Sequence, residues 1–224
     1  MIKDNLTSVL NSIGNNVTLV AVSKTKPNED LLEAYACGQC DFGENYVQEL
    51  VDKYQTLPKD IRWHMIGHLQ SNKVKYIAPF VHLIHGVDSL KLLTEINKQG
   101  LKNNRVISCL LQVHIAVEET KFGFDAEEIR SIVDNAPWKD LSNIQVKGLM
   151  TMGSNTEDEN QIVREFKEVA TLFNDLKTKP NLPSNVKMEI LSMGMSHDYL
   201  LAINQGSTMV RVGSLIFGQR NYSK

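Results

Sequence analysis

Eight short apolar runs, each followed by a stretch with the period of a helix, recur from one end of this chain to the other. No other property of the sequence restricts its fold so sharply. The runs are "TLVAVS" (18–23), "CDFGEN" (40–45), "WHMIG" (63–67), "HLIHGVD" (82–88), "ISCLLQVHI" (107–115), "VKGLMTM" (146–152), "EILSMGM" (189–195) and "TMVRVGSLIFG" (208–218). Several are apolar on both faces, which is what a strand buried within a parallel sheet requires.

The intervening stretches carry helix signals. Leu31, Leu32 and Tyr35 share a face, with Gly38 as a stop. Tyr46, Val47, Leu50, Val51 and Tyr54 form the next stripe. Asp88 or Ser89 can cap a helix that carries Leu90, Leu93 and Ile96 and ends at Gly100. Asp125 with Glu128, and Thr156 with Glu159, have capping-box spacing. The second of these opens the longest stripe, Ile162, Phe166, Val169, Phe173 and Leu176. Ser196 begins a short helix that Gly206 closes.

Strands that alternate with helices pair in parallel through right-handed crossovers. Eight regular units in 224 residues favour a closed α/β barrel of the (β/α)8 type over an open doubly wound sheet, and no dinucleotide fingerprint follows the first strand. A single domain over 1–224 is expected. The chain ends almost directly after the eighth run, so a full eighth helix is missing. The amphipathic segment 3–13, with Leu6, Val9, Leu10 and Ile13, is expected to fill that gap as an extra N-terminal helix.

Bulk properties narrow the function classes. The formal net charge of −2 makes no electrostatic case for nucleic acid or an anionic membrane. The first residues are too polar for a secretory signal, and no run approaches the roughly 20 apolar residues of a membrane helix. A cytoplasmic protein is expected. Cys37, Cys40 and Cys109 are too few for a disulfide framework. "CGQC" reads as two incidental thiols at a helix-to-strand turn. His64 and His68 lie along a strand and its loop, and His82 and His85 on opposite strand faces. With no carboxylate or cysteine pattern around them, no metal site is expected. Trp63, Met65, Met150 and Met152 read as core, and "EDE" (157–159) as a solvated first helical turn.

In a barrel of this kind, reactive groups gather at the C-terminal ends of the strands, and phosphate sites form in the loops after the seventh and eighth. "GMSHDY" follows the seventh run. There Gly194 allows close backbone approach, and Ser196 either caps a helix or faces an anion. Gly213 and Ser214 follow the eighth. Arg211 sits within that apolar strand, so it is either half of a structural ion pair or a ligand group. Lys24 follows "LVAVS" at the same barrel face. Desolvation lowers an amine's pKa, and a neutral amine attacks aldehydes. A lysine, phosphate-type strand ends and a buried arginine on one face point to pyridoxal phosphate. Lys24 is nearest the barrel, while Lys26 precedes Pro27 and reads as a loop charge.

The motifs "AVSKTKP" (21–27), "FGENYVQE" (42–49), "WHMIGHLQSNK" (63–73), "EETKFGF" (118–124), "VKGLMTM" (146–152), "LSMGMSHD" (191–198) and "GSTMVRVGSLIFGQRNYS" (206–223) span almost the whole chain in order. The sequence closely resembles the pyridoxal phosphate homeostasis protein family, itself similar to the N-terminal barrel domain of bacterial alanine racemases. The resemblance implies a pyridoxal 5'-phosphate held by Lys24 as a Schiff base. It implies phosphate contacts at Ser196, Gly213 and Ser214, with Arg211 facing the pyridine nitrogen and Asn45 near the cofactor. Ser214 stands where many members have threonine, which keeps the hydroxyl. Gly86 in "LIHGVDS" departs from the commoner pattern and has no functional reading.

Members of that family bind the cofactor and are linked to vitamin B6 balance and to amino-acid and keto-acid homeostasis, without an established catalytic activity. An arginine opposite the ring nitrogen disfavours ring protonation and weakens the electron sink. The chain also lacks the second domain that supplies the opposing tyrosine base and dimer contact in alanine racemases. The expectation is therefore a monomeric, non-catalytic cofactor holder that can pass pyridoxal phosphate to apo-enzymes. A racemase-like enzyme is the alternative. A third reading is a barrel enzyme whose Lys24 forms a Schiff base with a phosphorylated substrate. His68 is expected to line the cofactor pocket or lie in its loop. Glu118, Glu119 and Lys121 are expected in a polar loop or lid.

Overall fold

A computed structural model of the protein describes residues 1–115 and 122–219. The expectation for 118–121 therefore lies outside the described residues, as does the end of the last motif. Eight strands form a closed barrel in chain order: β1 (Thr18–Val22), β2 (Asp41–Glu44), β3 (Arg62–Met65), β4 (Leu83–Val87), β5 (Ile107–Val113), β6 (Ile144–Thr151), β7 (Val186–Ser192) and β8 (Met209–Val212). All neighbouring pairs are parallel, and β8 closes on β1 with Val20 opposite Arg211. The helices are α1 (Ile2–Ile13), α2 (Asn28–Ala36), α3 (Val47–Thr56), α4 (Val74–Ile77), α5 (Leu90–Lys102), α6 (Ala126–Asn135), α7 (Glu159–Lys177), α8 (Tyr199–Asn204) and α9 (Ser214–Phe217). Among the described residues, no helix is long and apolar enough to cross a membrane.

The apolar runs divide by strand alternation. Trp63, Met65, Ile84, Leu111 and Leu149 pack outward under the helices. Val20, Leu83, Leu110, Met150 and Met209 fill the barrel interior. Between them the strands send polar groups inward, because His64 alternates with Trp63 and Met65, and both of those face the helices.

The eighth run is shorter than the sequence reading had it. Strand β8 stops at Val212, and Ser214–Phe217 turn into α9. Helix α1 packs against α2, α8 and α9 as an extra N-terminal helix in the barrel wall. Its buried face is Ile2, Leu6, Val9 and Ile13, with Leu10 exposed. Other expectations shift as well: Tyr46 and Leu90, expected on apolar stripes, are exposed. Leu32 is exposed, and Ala34 joins Leu31 on the buried face of α2. Asp158, not Thr156, caps α7, by accepting from the N–H groups of Asn160 and Gln161. Helix α5 runs through Gly100 to Lys102. The Asp125–Glu128 capping box and the Ser89 cap form as their spacing predicts.

Candidate functional site

A cavity of about 440 Å³ opens at the C-terminal end of the barrel. Lys24, Asn45, Ser196, Arg211, Gly213 and Ser214 all line it. Each except Arg211 lies just past the end of a strand, where parallel topology delivers residues from distant positions to one mouth. Lys26, His68, Gln112, Phe122 and Met152 line it too, so Met152 is not the closed core residue its pattern implied. His68 stacks on Phe122 with centroids 3.9 Å apart, and its Nδ1 lies 3.0 Å from Asp88 Oδ2.

Lys24 sits in a turn held from outside the barrel. Thr25, the next residue, has φ 64°, an uncommon conformation for a β-branched residue. Its N–H donates to Glu49 Oε1 at 2.6 Å. On the other side, Ser23 Oγ donates to Glu44 Oε1 at 2.6 Å. Lys53, on α3, joins the two flanks. Its Nζ donates to Ser23 O at 2.7 Å, Glu44 Oε1 at 2.8 Å and Glu49 Oε1 at 2.7 Å. Burial pushes the Glu44 carboxyl up to about 7, outweighing the pull of the Lys53 ammonium and the Ser23 hydroxyl. The sequence reading missed this network, because its members lie on three elements and their helical or strand spacing is unremarkable. Lys26 lies in the loop after β1, as its sequence reading has it, and is half-buried there. Its Nζ donates to Phe217 O at 2.7 Å, tying the Lys24 turn to α9.

The phosphate-type ends of β7 and β8 are joined by a backbone bond, Arg211 N–H to Gly194 O at 3.0 Å, and by a side chain. Ser196 Oγ accepts from Gly213 N–H at 3.1 Å. Ser196 was expected to begin a helix, but α8 starts at Tyr199 with Asp198 in the capping position, so the Ser196 hydroxyl stays in the loop. Gly194, at φ 97°, lets α8 sit against the chain, since a Cβ there would lie 2.7 Å from Ala202 Cβ. Ser214 is exposed at the first position of α9.

Arg211 is 4% exposed. Its Nη1 donates to Ser192 Oγ at 2.7 Å and its Nη2 to Thr151 O at 2.9 Å, both neutral oxygens. Burial lowers its pKa to about 10 while the Asp198 carboxylate pulls the other way, so the group stays a guanidinium at neutral pH.

A second, smaller cavity of about 240 Å³ opens at the opposite end, lined by Thr18, Asp41, Arg62, His64, His82 and Lys147 among others. The ligand atoms of Asp41, His64 and His82 lie within 4.8 Å of one another. The sequence pattern places no carboxylate with these histidines. Pairing of β2 with β3 supplies one, with Asp41 opposite Arg62. However, Arg62 forks onto that carboxylate, its Nε 2.7 Å from Oδ1 and its Nη2 on Oδ2, and so competes with any cation. Burial alone would raise the Asp41 pKa, but the His64 and Arg62 bonds outweigh it and hold the pKa at about 2. His82 and His85 both approach His64, with ring centroids 5.4 and 5.2 Å away. His82 precedes β4, so strand alternation does not govern it.

Comparison with known proteins gives a consistent picture. The family model for the alanine racemase N-terminal domain matches residues 1–221. A pyridoxal phosphate homeostasis protein from Aquifex aeolicus is 41% identical, with the match covering 93% of this chain and 89% of that protein. The human protein of the same description is 41% identical over 92% of this chain and 78% of its own. PipY from Synechococcus elongatus, solved with PLP bound, superposes with a TM-score of 0.87 at 32% identity, covering 97% of this chain and 100% of that one. An alanine racemase from E. faecalis shares the fold alone, with a TM-score of 0.76 at 16% identity, and this chain covers 58% of it.

Proposed function

The chain belongs to the pyridoxal phosphate homeostasis protein family, built on the alanine racemase N-terminal domain, and from that premise we propose that it binds pyridoxal 5'-phosphate in the C-terminal cavity and serves vitamin B6 homeostasis as a holder of the cofactor. One observation carries the reading: Lys24, Arg211 and the Ser196–Gly213–Ser214 cluster line one cavity. Its volume of about 440 Å³ falls within the roughly 300–1,000 Å³ range of small-molecule sites. The residues also fit the group chemically. Lys24 is a primary amine for the aldehyde carbon. Ser196, Ser214 and the adjoining backbone offer donors to a dianionic phosphate. Arg211 offers N–H groups to the ring nitrogen.

When bound, the cofactor supplies an aldehyde carbon and an electron-withdrawing ring. A guanidinium with no acceptor cannot take a ring proton, so Arg211 favours the unprotonated pyridine and a weak electron sink. This supports a non-catalytic role. We further propose that the barrel, 1–224, acts as one unit, works as a cytoplasmic monomer and passes the cofactor to apo-enzymes. The shared racemase fold keeps one alternative in view, a racemase-like enzyme that uses the same Lys24.

The test is an absorbance spectrum of the reconstituted protein, followed by borohydride reduction and peptide mapping. A yellow protein whose cofactor mass maps to Lys24, and a Lys24→Ala variant that folds but takes no label, are expected. A colourless wild type without the mass increment would end the reading. Deuterium from solvent appearing at Cα of an amino acid at a useful turnover rate would promote the racemase alternative.

A further inference from the structure

Five buried groups form an unbroken hydrogen-bonded row through the barrel, from the small cavity at one end to Arg211 beneath the large cavity at the other. His64 Nε2 lies 3.0 Å from Asp41 Oδ1, and His64 Nδ1 lies 2.9 Å from His85 Nε2. His85 Nδ1 lies 3.1 Å from Ser192 Oγ, which accepts from Arg211 Nη1 at 2.7 Å. His64, His85 and Ser192 are fully buried, and the site described above leaves the two imidazoles unexplained.

The ends of the row dictate its direction. A guanidinium has donors only and an ionised carboxylate acceptors only. Ser192 Oγ accepts from Arg211, so its single proton points to His85 Nδ1. His85 must then carry its proton on Nε2 and donate to His64 Nδ1. His64 in turn carries its proton on Nε2 and donates to Asp41. Every group is satisfied, both imidazoles are neutral, and all four bonds run from cation to anion. Full burial, which holds His85 well below the usual histidine range, agrees with a neutral ring there. The competing arrangement protonates His64 on both nitrogens. It turns His85 into an Nδ1–H donor to Ser192 and leaves the serine proton with no acceptor in the row.

We propose that His64, His85 and Ser192 are positioning residues, a one-way hydrogen-bond row anchored on Asp41 that fixes the plane of the Arg211 guanidinium. Resting on the cofactor reading above, this row sets how Arg211 meets the pyridine nitrogen. Ser192 holds Nη1 from one side and Thr151 O holds Nη2 from another, so the guanidinium cannot rotate without breaking a buried bond. Asp41 is held in turn by Arg62, at the rim of the opposite cavity. Neither His85 nor Ser192 is among the residues lining the cofactor cavity. An effect of either on the cofactor therefore passes through Arg211.

Two measurements test this. The first is ¹⁵N NMR of the imidazoles in the cofactor-free protein, where His64 and His85 should both be neutral Nε2–H tautomers. The second compares Ser192→Ala, His85→Leu and His85→Gln with wild type for cofactor dissociation constant and visible absorption maximum. Losing a buried bond to a charged group should weaken binding about ten-fold and move the maximum in Ser192→Ala and His85→Leu. Glutamine can offer its oxygen to Ser192 and its NH₂ to His64, so His85→Gln should stay within about three-fold of wild type. An Nδ1–H proton on His85, or a Ser192→Ala variant that binds and absorbs like wild type, would overturn the proposal. The tautomers are read without cofactor, so a wild type that takes up none would sink the cofactor reading and leave the row's polarity separately decided.

Discussion

Replacing Lys53 by methionine removes the cation that bonds Ser23, Glu44 and Glu49 in the buried network beside Lys24, and leaves the volume nearly unchanged. Three oxygens lose one donor each: Ser23 O, Glu44 Oε1, which keeps the Ser23 hydroxyl, and Glu49 Oε1, which keeps the Thr25 N–H. The cost depends on pH because Glu44 titrates at about 7 in the folded protein, against an ordinary 4.5. Between those values the folded state holds a proton that the unfolded state has lost, so the Glu44 contribution to stability falls as pH rises through that window. Without Lys53 the folded pKa climbs further and the window extends upward. Below pH 7 both proteins carry a neutral Glu44, and the cost is that of the remaining lost bonds, about 1–2 kcal/mol. Above it, the variant loses about 1.4 kcal/mol more per pH unit. The destabilisation should therefore grow by about 2 kcal/mol between pH 6 and 8.5, into the roughly 3–5 kcal/mol range of a broken buried pair. Urea unfolding followed by far-UV circular dichroism at pH 6, 7 and 8.5 measures it. A destabilisation that stays flat across that range, or a variant as stable as wild type at pH 8.5, would refute the reasoning.

Thr25→Asn should stabilise by roughly 0.5–1 kcal/mol, since asparagine tolerates the φ of 64° better than a β-branched residue; a higher urea midpoint is the readout. Gly148→Ala should cost about 4 kcal/mol or more and abolish cooperative unfolding. Gly148 has φ 146°, and a Cβ there would lie 1.9 Å from Ile190 O of the neighbouring strand. Acid should cost roughly 2 kcal/mol at Asp41. Its pKa of about 2, lowered from 3.8, means the contribution is complete above 3.8 and is lost as pH falls through 2. In Asp41→Asn that part of the acid limb should vanish from an unfolding titration.

The barrel itself was legible because periodicity is local. Strands apolar on both faces, helices with one apolar stripe, and caps such as Asp125 and Ser89 each declare themselves within a dozen residues. Boundaries blurred where one run served two elements, as at "TMVRVGSLIFG", in which Gly213 ends a strand and the same apolar character continues into a helix. The candidate site was legible in part for a related reason. Parallel topology sends every residue just past a strand end to the same mouth, so Lys24, Ser196, Gly213 and Ser214 could be placed together by counting strands, while Asn45 came from the family resemblance.

What only the tertiary structure decided was which polar groups meet across strands. Asp41, His64, His85, Ser192 and Arg211 come from five strands, and alternation gives each a face but no partner. Partnership depends on barrel stagger and on side-chain reach, neither of which has a period along the chain. The Ser23–Glu44–Lys53–Glu49 network behind Lys24 is another such case. The sequence by itself thus determined that a lysine and an arginine stand at one end of a closed barrel, through hydrophobic pattern and connectivity. Closure of the barrel decided what holds them there, because hydrogen bonds are short and directional and join residues far apart in the chain.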